Sequence, residues 1–229
     1  MVHKQLKVSD GHRMLPLTIR NYDRRDFAKL IALQGLCFPP PFPSELWWNE
    51  AQLAEHTARF PDGALCAEVE GVIVGSMTAL RTSVQDGENH TWASVTDNGY
   101  IRNHEPHGET LYVVDICIAP EYRKLGIGKW LMQSMYETVV HLNCSRLLGG
   151  GRMPGYYEFA GTLTPHEYVH LVSIGQKYDP VLTFLLKCGR LPIGIATNYI
   201  VDEQSNHYAA LMEWRNPFMK ERMEWNTSV

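Results

Sequence analysis

Along the chain, apolar positions switch between the two-residue period of strands and the three-to-four-residue period of helices. Residues 64–69 and 72–80 read as strands joined by Glu70-Gly71, a tight hairpin. Residues 111–118 (LYVVDICI) form another β-type run. After a short polar stretch, Ile127, Leu131, Met135, Val139 and Leu142 recur at steps of four and three, which predicts a helix from near Ile127. Upstream, residues 17–20 suggest a short strand, and Asp23 can cap a helix carrying Phe27, Leu30, Ile31 and Leu33. Ser44 can cap a second helix with Leu46, Trp47 and Leu53, ended by the turn Pro61-Asp62-Gly63. Downstream, residues 146–148 suggest a strand that runs into a flexible corner at Gly149-Gly150-Gly151. Thr164-Pro165-His166-Glu167 is a capping box, and Asp179-Pro180 repeats the cap-then-proline device before a helix that stops at Gly189. Residues 193–201 and 208–214 read as a closing hairpin.

The junction between the β-run and the helix is the most informative segment. Residues 118–128 (IAPEYRKLGIG) place a glycine loop between a strand and a helix N-terminus. Such a loop aims backbone N–H groups at one anion, and the helix dipole adds to their field. The glycines would let a diphosphate approach where a Cβ would collide. The loop is not a Walker loop, because Gly128 is followed by Lys129 and Trp130, and no GxGxxG fingerprint passes through these glycines.

In its Arg-x-x-Gly-x-Gly pattern after a strand, the segment resembles motif A of the GNAT family of acyl-CoA-dependent N-acetyltransferases. The order of strand, two helices, three strands and helix is that family's order. The resemblance implies an α/β fold with a central mixed, twisted sheet of about seven strands flanked by helices. It also implies acetyl-CoA as cofactor: Arg123, Lys124, Leu125, Gly126, Ile127, Gly128 and Lys129 hold the pyrophosphate, and the main chain of Ile116, Cys117 and Ile118 meets the pantetheine arm. Further segments, among them 90–99, 103–112, 150–156, 179–184 and 211–214, resemble the GNAT domain that some bacteria carry fused to a nitrilase-like hydrolase. The hydrolase is expected to be absent, since one acetyltransferase domain over 17–217 fills the chain between an N-terminal extension (1–16) and a C-terminal tail (218–229).

Acetyl transfer from a thioester needs a neutral amine, yet an alkyl ammonium titrates at about 10.4, so a base or a desolvating pocket must remove its proton. Many GNAT enzymes have a glutamate where Tyr112 stands here, and a tyrosine general acid where Leu185 stands. Asp115, Tyr112 and Tyr156 are the remaining polar candidates. Strict alternation along 111–118 would place Tyr112 on the face of Val114 and Ile116, and Asp115 on the other with Val113 and Cys117. Asp115 can be either the base or a buried structural hydrogen-bonder. The glutamate and tyrosine departures also keep open a noncatalytic acyl-CoA sensor.

Composition narrows the partners. A formal charge of −4, with no run of basic residues longer than two, argues against a nucleic-acid surface. No apolar stretch approaches the roughly 20 residues that span a bilayer, and no secretory h-region opens the chain. The 5 cysteines lack CxxC spacing and read as reduced cytoplasmic thiols. His104 and His107 lie in a Pro/Gly loop without cysteine company, so no metal is expected; a substrate gate or a plain surface loop remain. The acceptor is a small-molecule or peptide amine, and a homodimer is left open.

Overall fold

The computed structural model describes residues 2–85 and 87–219. Eight strands form one sheet in the order β1-β2-β3-β4-β5-β6-β8-β7. They are β1 (Val2–Ser9), β2 (Met14–Asn21), β3 (Ala64–Val69), β4 (Val72–Thr82), β5 (Thr110–Ile118), β6 (Arg146–Arg152), β7 (Leu191–Ala196) and β8 (Ala209–Arg215). Every neighbouring pair is antiparallel except β5 and β6. That parallel pair needs a crossover, which the long helix supplies. The helices are α1 (Phe27–Cys37), α2 (Glu50–Arg59), α3 (Trp92–Thr96), α4 (Ile127–His141), α5 (Pro165–Ser173) and α6 (Leu182–Lys187).

Helices cover both faces. Gln34 of α1 reaches Cys117, whereas Leu131 of α4 lies near Gly75 beside Ile118. Adjacent residues of a strand point to opposite faces, so α1 and α4 lie on opposite sides of β5. Buried Leu17, Ile19, Leu65, Met77, Leu80, Leu111, Ile127, Leu131 and Met135 fill the core between them.

Several expectations are corrected. The mixed sheet of about seven strands is borne out with eight, and the residues expected as an N-terminal extension supply β1 and the start of β2. The expected tail lies, from residue 220 on, outside the described residues. Ser44 begins only a 3-10 turn, and α2 starts later, where Asn49 accepts from Gln52 N at 2.9 Å and Gln52 answers in a reciprocal box. Gly149 to Gly151 are not a corner but part of β6, paired with Met212 to Ala210 of β8. A Cβ on Gly150 would stand 2.3 Å from the Tyr199 ring, so glycine there serves close packing. The capping box at Thr164 forms as expected, Asp23 caps the 3-10 turn Arg24–Asp26 ahead of α1 and not α1 itself, and Asp179 accepts from the N–H groups of Val181 and Leu182 at the start of α6.

Candidate functional site

The glycine loop lies at the C-terminal end of β5, ahead of α4. Lys124 and Gly126 take positive φ values of 68° and 82°, which turns the chain sharply into the helix. Among the described residues, Leu125, Gly126, Ile127 and Gly128 donate no backbone hydrogen bond, whereas Lys129 and Trp130 already donate to Gly126 O. Four adjacent unpaired N–H groups at the start of a 15-residue helix make an anion cradle. A Cβ on Gly126 would meet nothing within 4 Å, so the space in front of it is open. Gly128 has a different task. A Cβ there would come within 3.0 Å of Phe184, so this glycine lets α4 pack against α6. The Arg123 guanidinium donates to Ile118 O at 3.1 Å and to Cys37 O at 3.5 Å, tying the loop to β5 and α1.

Beside this cradle the sheet opens. β5 pairs with β6 only from Thr110 to Tyr112, against Arg146 to Leu148. Beyond that point Ile116, Cys117 and Ile118 keep their β4 partners and have none in β6, which leaves a slot into which an extended ligand arm can add as a strand would.

Asp115 sits beside the slot. Gln34 Nε2 donates to its Oδ2 at 2.9 Å. Burial away from water pushes the carboxyl up to about 7, against the lowering effect of the hydrogen bonds from Gln34, Cys117 and the Ile116 backbone. Cys37 and Cys117 share a side-chain interaction that lowers the first thiol and raises the second. Ser76 Oγ also lies 3.4 Å from Cys117 Sγ.

The strict alternation expected along β5 fails. Thr78 pairs with Asp115 but Ala79 pairs with Val113, so Val114 is the extra residue of a β-bulge. The bulge resets the phase and brings Tyr112 to the same α1/α2 face as Asp115. There the Tyr112 hydroxyl lies 2.7 Å from His90 Nε2 and 2.9 Å from the Tyr199 hydroxyl. Sequence reasoning missed His90, Tyr199 and Gln34, because each reaches the site from a distant segment.

Tyr156 does not join them. It is buried, its hydroxyl donates to Leu163 O at 2.8 Å, and its ring packs against Tyr168 and Tyr208. The loop with His104 is tied to the opposite end of β5 from the glycine cradle: His104 stacks on Phe60 at 4.5 Å and accepts from Arg81 N. It does not gate the slot. Among the described residues no group of three His, Cys, Asp or Glu could hold a metal ion, and no helix is long and apolar enough to cross a membrane.

Comparison with known proteins agrees with this arrangement. Residues 27–152 match the model of the acetyltransferase (GNAT) family. The chain is 57% identical to the uncharacterized N-acetyltransferase YkwB of Bacillus subtilis, over 96% of this chain and 98% of that protein. It is 39% identical to the probable hydrolase YhcX of the same organism, over 87% of this chain but only 39% of that longer protein, in keeping with the hydrolase-fused subgroup. Among solved structures, the GphF GNAT-like decarboxylase in complex with isobutyryl-CoA superposes with a TM-score of 0.70 at 25% identity, covering 86% of this chain and 98% of that one. The chain belongs to the GNAT family of acetyltransferases.

Proposed function

We propose that this protein is a cytoplasmic, acetyl-CoA-dependent N-acetyltransferase that moves acetyl directly to a primary amine in a ternary complex. The observation that carries the reading is the slot beyond Tyr112 and Leu148, with an anion cradle at one end and Asp115 beside it. The N–H groups of residues 125–128 bind the coenzyme diphosphate, with Lys124 and Lys129 adding positive charge nearby. The open main chain of Ile116 to Ile118 takes the pantetheine arm. The bound coenzyme supplies an activated thioester. Asp115, which titrates near neutrality, takes the proton of the attacking ammonium, and Gln34 holds its carboxylate in place. Tyr112, anchored by His90 and Tyr199, shapes the wall of the site.

A second reading is favoured by the GphF likeness and by the absence of the usual glutamate and tyrosine at Tyr112 and Leu185. In that reading the substrate is an acyl-CoA that carries a carboxylate on the carbon α to its thioester. The carbon–carbon bond breaks to release carbon dioxide, the electron pair stays on the α-carbon as an enolate, and protonated Asp115 gives up its proton to that carbon.

Titration calorimetry with acetyl-CoA, followed by free-thiol release against an amine panel, tests the first reading. Binding with amine-dependent thiol release is expected. Carbon dioxide release from a carboxylated acyl-CoA, with no thiol release, would favour the second. Binding without either reaction points to an acyl-CoA sensor, and absence of binding overturns the site.

A further inference from the structure

Two segments stand over the α1/α2 face of β5: the connection 38–49 between α1 and α2, and the connection 197–208 between β7 and β8. Between them a groove would run past Asp115, but both of its ends are bridged. At the outer end the Arg152 guanidinium lies 4.7 Å from the Phe42 ring centroid. The same guanidinium grips both carboxylate oxygens of Asp202 at 2.8 Å and reaches Gln204 at 3.4 Å. At the inner end Trp48 packs against Trp92, whose backbone N–H donates to Tyr199 O at 2.7 Å and whose indole donates to Val114 O at 3.0 Å. Asn89 accepts from Thr197 N at 3.0 Å, so the stretch between β4 and β5 is fastened to the same connection. Gln34 and Cys37 of α1 form the remaining wall.

A peptide lying in such a groove advances about 3.3 Å per residue, so a few residues beyond the reacting amine would carry it through one of these bridges. The outer one parts at the Phe42–Arg152 contact, but Arg152 itself stays clamped to Asp202, a carboxylate only 3% exposed, so the guanidinium keeps occupying that end of the groove. End-on entry gains little in return, because peptide recognition relies on free main-chain groups along the walls. Those groups are engaged with one another: Tyr199 N with His207 O, Tyr199 O with Trp92 N, Phe38 O with the Trp47 indole, Met153 N with Ser205 Oγ.

We infer that the acceptor of this site is a small free amine, not a peptide or a protein terminus; the inference rests on the acetyltransferase reading above. Calorimetry with three ligands tests it: CoA, CoA joined through an acetyl bridge to a small alkylamine, and CoA joined in the same way to a tetrapeptide. The alkylamine conjugate is expected to bind at least as tightly as CoA, and the peptide conjugate about tenfold more weakly or worse. Phe42→Ala, which cuts the outer bridge at a half-buried side chain, is expected to narrow that gap. A peptide conjugate that binds wild-type protein as tightly as the alkylamine conjugate overturns the inference while leaving the acyl-CoA reading in place. Failure of CoA itself to bind overturns that reading and the inference with it.

Discussion

Asp115 carries a carboxyl whose environment disfavours its charge, and this sets how the site should respond to pH. If the carboxylate is the base, the rate of acetyl transfer should climb as pH rises and level off above about 7. Asp115→Asn keeps an oxygen for Gln34 to donate to but cannot take a proton. The expected result is a loss of roughly a hundredfold or more in kcat, with acetyl-CoA affinity held within about twofold. A variant with near-normal turnover would reduce Asp115 to a structural hydrogen-bonder. Gly126 offers a second residue-scale test, because its Cβ would point into open space at a φ of 82°, which Asn and Asp tolerate better than most side chains. Gly126→Asp and Gly126→Asn therefore bear similar backbone strain, while only the former brings a negative charge to the diphosphate. CoA affinity should fall at least about tenfold further in the aspartate variant; equal losses would place the diphosphate elsewhere. The loop was legible in the sequence because its chemistry is local, a run of consecutive residues between a strand and a helix. That Gly128 also makes room for α6 was not legible, because its neighbour Phe184 is far along the chain.

At the scale of elements, what the sequence hid was chiefly pairing. The alternation of 111–118 shows a strand, but a bulge is a property of two strands in register, and nothing within β5 announces that Val114 has no partner opposite it. Three successive glycines look locally like a flexible corner. In β6 they are a close-packed strand, since Tyr199, Leu185 and Val113 occupy the space that side chains would need. The start of α2 shows a milder failure: Ser44 and Asn49 are both cap-type residues, and only the reciprocal bonding of Asn49 with Gln52 decides between them. The β6 packing can be tested by a mutant cycle. Gly150→Ala should destabilise the fold by about 1–3 kcal/mol through overpacking against the Tyr199 ring. In a Tyr199→Ala background the same substitution should cost much less, and chemical denaturation of the four proteins measures the difference. Additive losses would mean that the two residues do not compete for space.

Across the whole molecule, a buried histidine and a partly buried carboxyl oppose each other in the pH dependence of folding. His56 is fully buried between Gly99 O at 2.6 Å and the Tyr22 hydroxyl at 2.9 Å, and burial drives its pKa down to about 4. Its folded-state value is depressed below the ordinary value of 6.5, so its contribution to stability is present above that value and is lost as pH falls towards 4. His90 and His104 are shifted in the same direction by burial and act in the same sense. Asp115 runs the other way. Its carboxyl is raised from 3.8 to about 7, so its contribution is fully present below 3.8 and is lost as pH rises through 7. Between about pH 4 and 6.5 the folded state binds one proton more at Asp115 and one fewer at His56 than the unfolded chain, and the two slopes offset. Removing the acid should expose the histidine slope. Relative to wild type, Asp115→Asn is expected to gain stability by up to about 1.4 kcal/mol per pH unit over this range, less where solvent screens the carboxylate. Urea denaturation at pH 4.5, 5.5, 6.5 and 7.5 follows this difference directly. A constant offset between the two proteins at all four values would show that Asp115 is already ionised in the fold, and the neutral-pH base of the proposed mechanism would lose its physical support.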